Sequence, residues 1–254
     1  MNMAASVVVL IPIYKPELDP AERFSLDKSL SFLVDRDVRF IGPQGLDETY
    51  YAEIYPDVSI ERFAAPCFES IIEYNRLLLN PDFYARYSSF DFMLILQTDA
   101  ILLRDDLDFW CARPFDYVGA PWPKTFEIFL NIGLFEGQFG KHIHVGVGNG
   151  GLSLRRINKC INLLKEFPVE VGVFNYTGSS EDLFFSVMGS LSSDFVIPNE
   201  ITASMFSMEG KPSYYFRVNG GCLPMGGHAW TKNEVEFWLH LMPDAVNFFQ
   251  RNNF

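Results

Sequence analysis

Five consecutive apolar residues, Phe92-Met93-Leu94-Ile95-Leu96, run without a break into Gln97-Thr98-Asp99. A run that short and that apolar suits a strand covered on both faces, because a strand with one wet face would alternate. It also fixes the place of the acid that follows. Asp99 falls at the carboxyl end of a buried strand, the edge where open α/β sheets bind ligands. A turn cap would use the same residue type, so the meaning of Asp99 depends on what else in the chain can reach it.

The 254 residues carry a formal net charge of −12 and are 48% hydrophobic. Nucleic acid and anionic membrane surfaces are recognised through clustered Lys and Arg, so a chain this acidic is a poor fit to either. A phosphate-bearing small ligand stays open, since a divalent cation can bridge carboxylate to phosphate. Cys67, Cys111, Cys160 and Cys222 show no CxxC spacing, which points to reduced thiols rather than a zinc knuckle or a disulfide framework. Ser6–Ile13 is too short for a signal segment, and no stretch reaches the length of a membrane span.

Val7–Ile13 reads as a first buried strand, Val38–Ile41 as a second and Val58–Phe63 as a third, with Leu26, Leu30 and Leu33 on a helix face between the first two. No GxGxxG follows the first strand, which disfavours a dehydrogenase. Ser70 to Glu73 has capping-box spacing and opens a helix that holds Asn75 and Arg76. Phe115–Ala120 reads as a short strand leading to Trp122, whose ring is held between two prolines. It either covers an apolar neighbour or offers a stacking face to a sugar. Lys124–Gly140 has no clean period and reads as a loop or flap.

The segment from His144 to Arg155 packs glycines around Asn149, which permits close backbone approach to a ligand or another segment. Ser180 is placed to cap a helix with Glu181 and Asp182 in its first turn. Acids there answer the helix dipole, or aim into a cleft as a general base. His228 follows two glycines in a tight segment near the end, a position for a structural imidazole or for a ligand.

Taken in order, these clusters resemble a GT-A-type glycosyltransferase of a branch seen in bacterial surface-polysaccharide contexts, from Val7 to about Leu241. The marks are Pro12-Ile13-Tyr14, Tyr74-Asn75-Arg76, Gln97-Thr98-Asp99 at the place of an Asp-x-Asp motif, Gly119 to Trp122, Gly148 to Arg155, Ser180-Glu181-Asp182 and Gly227 to Trp230. The resemblance implies an α/β fold: a GT-A-type domain over residues 1–254 with a central, mostly parallel, Rossmann-like sheet flanked by helices. Residues up to about 120 would form the nucleotide half, and 121–254 a smaller acceptor and catalytic half.

The same resemblance assigns roles. Pro12, Tyr14, Asn75, Arg76, Gln97 and Asp99 would hold the nucleotide sugar. Trp122, Asn149, Gly150 and Gly151 would form the sugar pocket, Asp182 with Glu181 the catalytic pair, and Asp99 with His228 the site of a divalent cation, Mn2+ or Mg2+. Gln97 departs from the pattern by removing the first acid, and with it one anionic ligand. The implied reaction is inverting transfer from a nucleotide-diphosphate sugar to a hydroxyl of a glycan or lipid-linked glycan. It would run in the cytoplasm or at the inner face of the membrane. The rival readings are an inactive glycan- or nucleotide-sugar-binding module, which Gln97 favours, and a nucleotidyltransferase, which the missing Gly-rich loop opposes. An imidazole of ordinary pKa, roughly 6.5, would weaken metal binding in mild acid.

Overall fold

The computed structural model describes residues 5–131 and 140–252. Its first half alternates strands and helices: β1 (Val7–Pro12), α1 (Pro20–Phe32), β2 (Asp37–Pro43), α2 (Thr49–Ile54), β3 (Ser59–Phe63), α3 (Ile71–Leu78), α4 (Pro81–Ala85) and β4 (Phe92–Leu96). β5 (Ala100–Leu102), α5 (Leu107–Cys111), β6 (Tyr117–Val118), β7 (Pro121–Asn131), β8 (Gly140–Val147) and β9 (Leu152–Arg156) follow. The rest is mainly helical: α6 (Ile157–Glu166), α7 (Pro168–Thr177), α8 (Glu181–Leu191), α9 (Glu200–Phe206), β10 (Ser207–Met208), α10 (Pro212–Val218), β11 (Gly226–His228), α11 (Val235–Leu241) and α12 (Pro243–Asn252).

The main sheet runs β3-β2-β1-β4-β9-β6. Strands β3, β2, β1 and β4 are mutually parallel, and β9 lies antiparallel to β4. The unbroken apolar runs of β1 and β4 follow from cover on both faces. Val7, Val9, Ile11, Phe92, Leu94 and Leu96 point into one core with Leu26 of α1 and its C-cap residue Leu33. Val8, Leu10, Met93 and Ile95 point into the opposite core, with side chains of α3, α4, α6 and α8. A three-stranded sheet, β10-β11-β5, carries a third core of Ile101, Met208, Trp230 and Trp238. All four cysteines are free.

Two expectations change. Pro121–Asn131 is a strand paired antiparallel with β8, so Lys124–Asn131 is not a flap; residues 132–139 lie outside the described residues. The pairing is driven by facing apolar side chains: Ile128 sits opposite Ile143 and Phe126 opposite Val145, and Ile128, Ile143 and Val145 pack on the second core. His228 likewise ends a strand rather than a glycine turn. The glycines before it serve close packing, because a Cβ on Gly226 would lie 2.4 Å from the Ile101 carbonyl oxygen, and one on Gly227 2.2 Å from the Trp238 ring.

Ser70 caps α3 by accepting from the Glu73 N–H, 3.2 Å, but the box is half made, since Glu73 pairs with Arg76 instead. Pro168 ends α6 as its missing N–H requires, and then opens α7 at the first helical position.

Candidate active site

The carboxyl ends of β1 and β4, the start of α1, the α3 N-terminus, the β8–β9 turn, the first turn of α8 and the segment after β11 enclose one cavity of about 800 Å³. Pro12, Tyr14, Asn75, Gln97, Asp99, Asn149, Gly150, Gly151, Glu181, Asp182 and His228 all line it. Arg76 and Trp122 do not. Arg76 points the other way along α3 and donates to the Asn175 carbonyl of α7, 2.9 Å from Nη2. Trp122 lies flat against Gly148, where a Cβ would be 1.9 Å from its ring, and meets Phe126 edge-on at 5.0 Å. Of its two readings, it covers an apolar neighbour.

Asp99 and His228 are brought together by strand register. His228 pairs with Ala100 in the β11–β5 ladder, and Met208 of β10 pairs with Gly227, so Asp99 and Glu209 fall on either side of the imidazole. His228 Nε2 is 3.0 Å from Asp99 Oδ1 and Nδ1 is 2.9 Å from Glu209 Oε2, while the Lys232 ammonium donates to Asp99 Oδ2 at 3.0 Å. Burial alone would push His228 down, but the hydrogen bonds to Asp99 and Glu209 outweigh it and raise the imidazole to about 10. Burial pushes the Asp99 carboxyl up; His228 and Lys232 overcome that and hold it well below the usual carboxylate range. The ordinary imidazole pKa expected from the sequence is therefore corrected, because two carboxylates face the ring.

Among the described residues, no group of three or more His, Cys, Asp and Glu surrounds a common metal position. Asp99 and His228 would be the residues to hold a divalent ion here, and Glu209 behind the other ring nitrogen stands where the orienting partner of a ligating histidine usually does. With two protein donors, most positions would fall to ligand oxygens and water.

The floor of the cavity is backbone. Asn149 takes a left-handed φ of 51°, and the Gly151 carbonyl accepts the Gln97 N–H at 2.8 Å, tying the floor to the end of β4. The Asp182 carboxylate takes the Leu183 N–H at 2.7 Å and faces the Gly150 N–H at 3.4 Å. Glu181 is buried and ion-paired with Arg155 at 2.7 Å. On the opposite wall Glu22 is saturated, accepting from Lys15 Nζ at 2.9 Å, the Asp19 N–H at 3.0 Å and the Thr98 hydroxyl at 2.9 Å.

Sequence reasoning missed Lys232, Glu209, Glu22 and Arg155. Arg155 alone left a signal, since in the alternating strand Leu152–Arg156 it shares the face of Ser153 rather than that of Leu152, Leu154 and Arg156.

The central, mostly parallel sheet with helices on both faces is the GT-A fold of glycosyltransferases. The structure is similar to an active-site mutant of LgtC, with a TM-score of 0.55 and 12% identity, covering 93% of this chain and 95% of that one. It is also similar to mouse xyloside xylosyltransferase 1, with a TM-score of 0.50 and 12% identity over 88% of this chain and 97% of that chain. Likeness at such identities is likeness of fold. In sequence, residues 57–228 match the family described as "Protein of unknown function (DUF5672)", and the chain belongs to that family. No curated protein matches it in sequence. No helix among the described residues is long and apolar enough to cross a membrane.

Proposed function

We propose that this chain is a glycosyltransferase that moves a sugar from a nucleotide-diphosphate donor to a hydroxyl of a glycan or lipid-linked glycan acceptor, with inversion. The observation that carries the reading is that Asp182 and the Asp99–His228 pair face one cavity across the Asn149–Gly151 floor. The acceptor oxygen attacks the sugar's anomeric carbon as its proton passes to Asp182, and the bond from that carbon to the diphosphate oxygen breaks with its electron pair. Pro12 and Tyr14 border the nucleotide, Asn75 and Gln97 present amides to it, and Asn149, Gly150 and Gly151 lie beneath the sugar. In this reading residues up to about 120 serve the nucleotide and the remainder the acceptor.

A divalent cation held by Asp99 and His228 would neutralise the diphosphate charge. Lys232, on the same carboxylate, is a second cation at that end of the cavity. Arg76 and Trp122, which do not line the cavity, are left without a role in this reading.

The first test is thermal stabilisation by a panel of uridine, guanosine, cytidine and thymidine diphosphate sugars, with manganese or chelator. A matching donor at a hundred times its dissociation constant adds about 2.7 kcal/mol. Asp182→Asn should then lower turnover by about a hundredfold or more with donor binding kept. Retained turnover in that variant removes Asp182 as the base. The rival reading, a module that binds without catalysis, draws on Gln97 in place of an acid. It predicts donor binding with no hydrolysis in the wild type.

A further inference from the structure

Arg155 is wholly buried and does not line the cavity. Each of its three nitrogens nevertheless donates: Nε to Ser153 Oγ at 3.1 Å, Nη1 to the Tyr84 hydroxyl oxygen at 2.8 Å and Nη2 to Glu181 Oε1 at 2.7 Å. The Tyr117 and Phe185 rings close over the guanidinium at 5.3 and 5.4 Å. Ser153 in turn donates to the Gly150 carbonyl at 2.9 Å, and the Gly150 N–H faces Asp182 Oδ2. The contacts close into a circuit: Arg155, Ser153, Gly150, Asp182 and its chain neighbour Glu181, back to Arg155. The circuit has no slack at its centre, since a Cβ on Gly150 would meet Glu181 Oε1 at 2.4 Å and Arg155 Nη2 at 3.1 Å.

A buried ion pair is a poor device for stability alone, because well-packed apolar side chains of similar volume commonly do as well or better. What an apolar pair cannot do is join three partners at fixed angles, as a planar guanidinium does. We infer that Arg155 is a positioning residue, which through this circuit sets the Gly150 peptide and Asp182 at the distance the reaction needs. The inference rests on the reading of Asp182 as the base.

The test compares wild type, Arg155→Lys, Arg155→Met, Glu181→Met and the double variant Arg155→Met/Glu181→Met. The donor is whichever nucleotide sugar of the panel stabilises the wild type most, and turnover is read as donor hydrolysis. Arg155→Lys keeps the charge opposite Glu181 but cannot reach Ser153 and Tyr84 together. Both Arg155 single variants should lose about tenfold or more in kcat, with donor Kd held within about threefold. In Arg155→Met, hydrogen exchange over residues 149–152 should accelerate. The double variant should recover the Tm lost by Arg155→Met without recovering turnover.

Wild-type turnover in Arg155→Lys, turnover returning together with Tm in the double variant, or unchanged exchange over 149–152 would each overturn the assignment. Should the wild type act on no nucleotide sugar, the parent reading fails, while the exchange and Tm measurements still decide whether the circuit exists.

Discussion

Gly151 leaves the His228 ring no spare room: a Cβ there would lie 2.3 Å from Nε2 and 2.5 to 2.6 Å from the adjoining ring carbons. The imidazole cannot swing aside, because Asp99 and Glu209 hold its two nitrogens. Gly151→Ala should therefore cost about 1–3 kcal/mol of overpacking and abolish any manganese-dependent gain in nucleotide affinity, as read by calorimetric titration. Gly172 in α7 is the control, with no atom beyond its chain neighbours and its own helix backbone within 4 Å of its Cβ position. Gly172→Ala should raise stability by about 0.5–1 kcal/mol through helix propensity and leave nucleotide affinity alone. Equal behaviour of the two variants would mean that the ring is not confined as described. Residue by residue, Asp99 was marked by its place after a buried strand, whereas Asp182, in the first turn of α8, stood open between a helix cap and a cleft residue; both line the cavity. The pairing of Asp99 with His228, 129 residues apart, came only with the family resemblance, and two further partners left no trace: Glu209 lies 19 residues from His228 and meets it through the β10–β11 register, and Glu181 lies 26 residues from Arg155 and meets it through the packing of a helix on the sheet.

Among the elements, β1 and β4 were readable because cover on both faces makes every residue apolar, whereas β7 was read as a loop although Phe126, Ile128 and Leu130 alternate. The prolines flanking Trp122 masked that period, since proline in a run argues against a paired strand. The register shift between Pro121 and Phe126 is where the ladder accommodates them. Asn80-Pro81 follows the end of α3 and starts α4: Asn80 accepts the Asp82 N–H at 2.9 Å and Pro81 takes the first helical position. Asn80→Ala should cost about 1 kcal/mol by loss of that cap, lowering Tm by about 2–4 °C for a chain of this size, with turnover per folded molecule unchanged. A loss of turnover at constant Tm would show instead that α4 communicates with the cavity.

For the whole molecule, acidity and the pairing of Asp99 with His228 decide how stability follows pH. His228 is raised to about 10 in the fold, so its stabilising contribution is complete below its unfolded value of about 6.5 and is lost as pH rises through the folded one. Asp99 is held down, so its contribution is present above about 3.9 and is lost as pH falls through its folded value. Without metal, melting temperature should be highest in mild acid and decline from neutral toward pH 10. A cation must displace the proton on Nε2, so stabilisation by manganese should grow with pH over the same range. Calorimetric scans of wild type and His228→Ala, with chelator or manganese, check this; identical alkaline limbs would rule out the pairing as its origin. His228 ends β11 and Asp99 immediately precedes its ladder partner Ala100 on β5, where neighbouring backbones run about 4.8 Å apart. For anyone re-engineering the scaffold, the spacing between Asp99 and His228 is carried by hydrogen-bonded backbone, which changes confined to cavity-lining side chains such as Glu69 and Ile71 leave untouched.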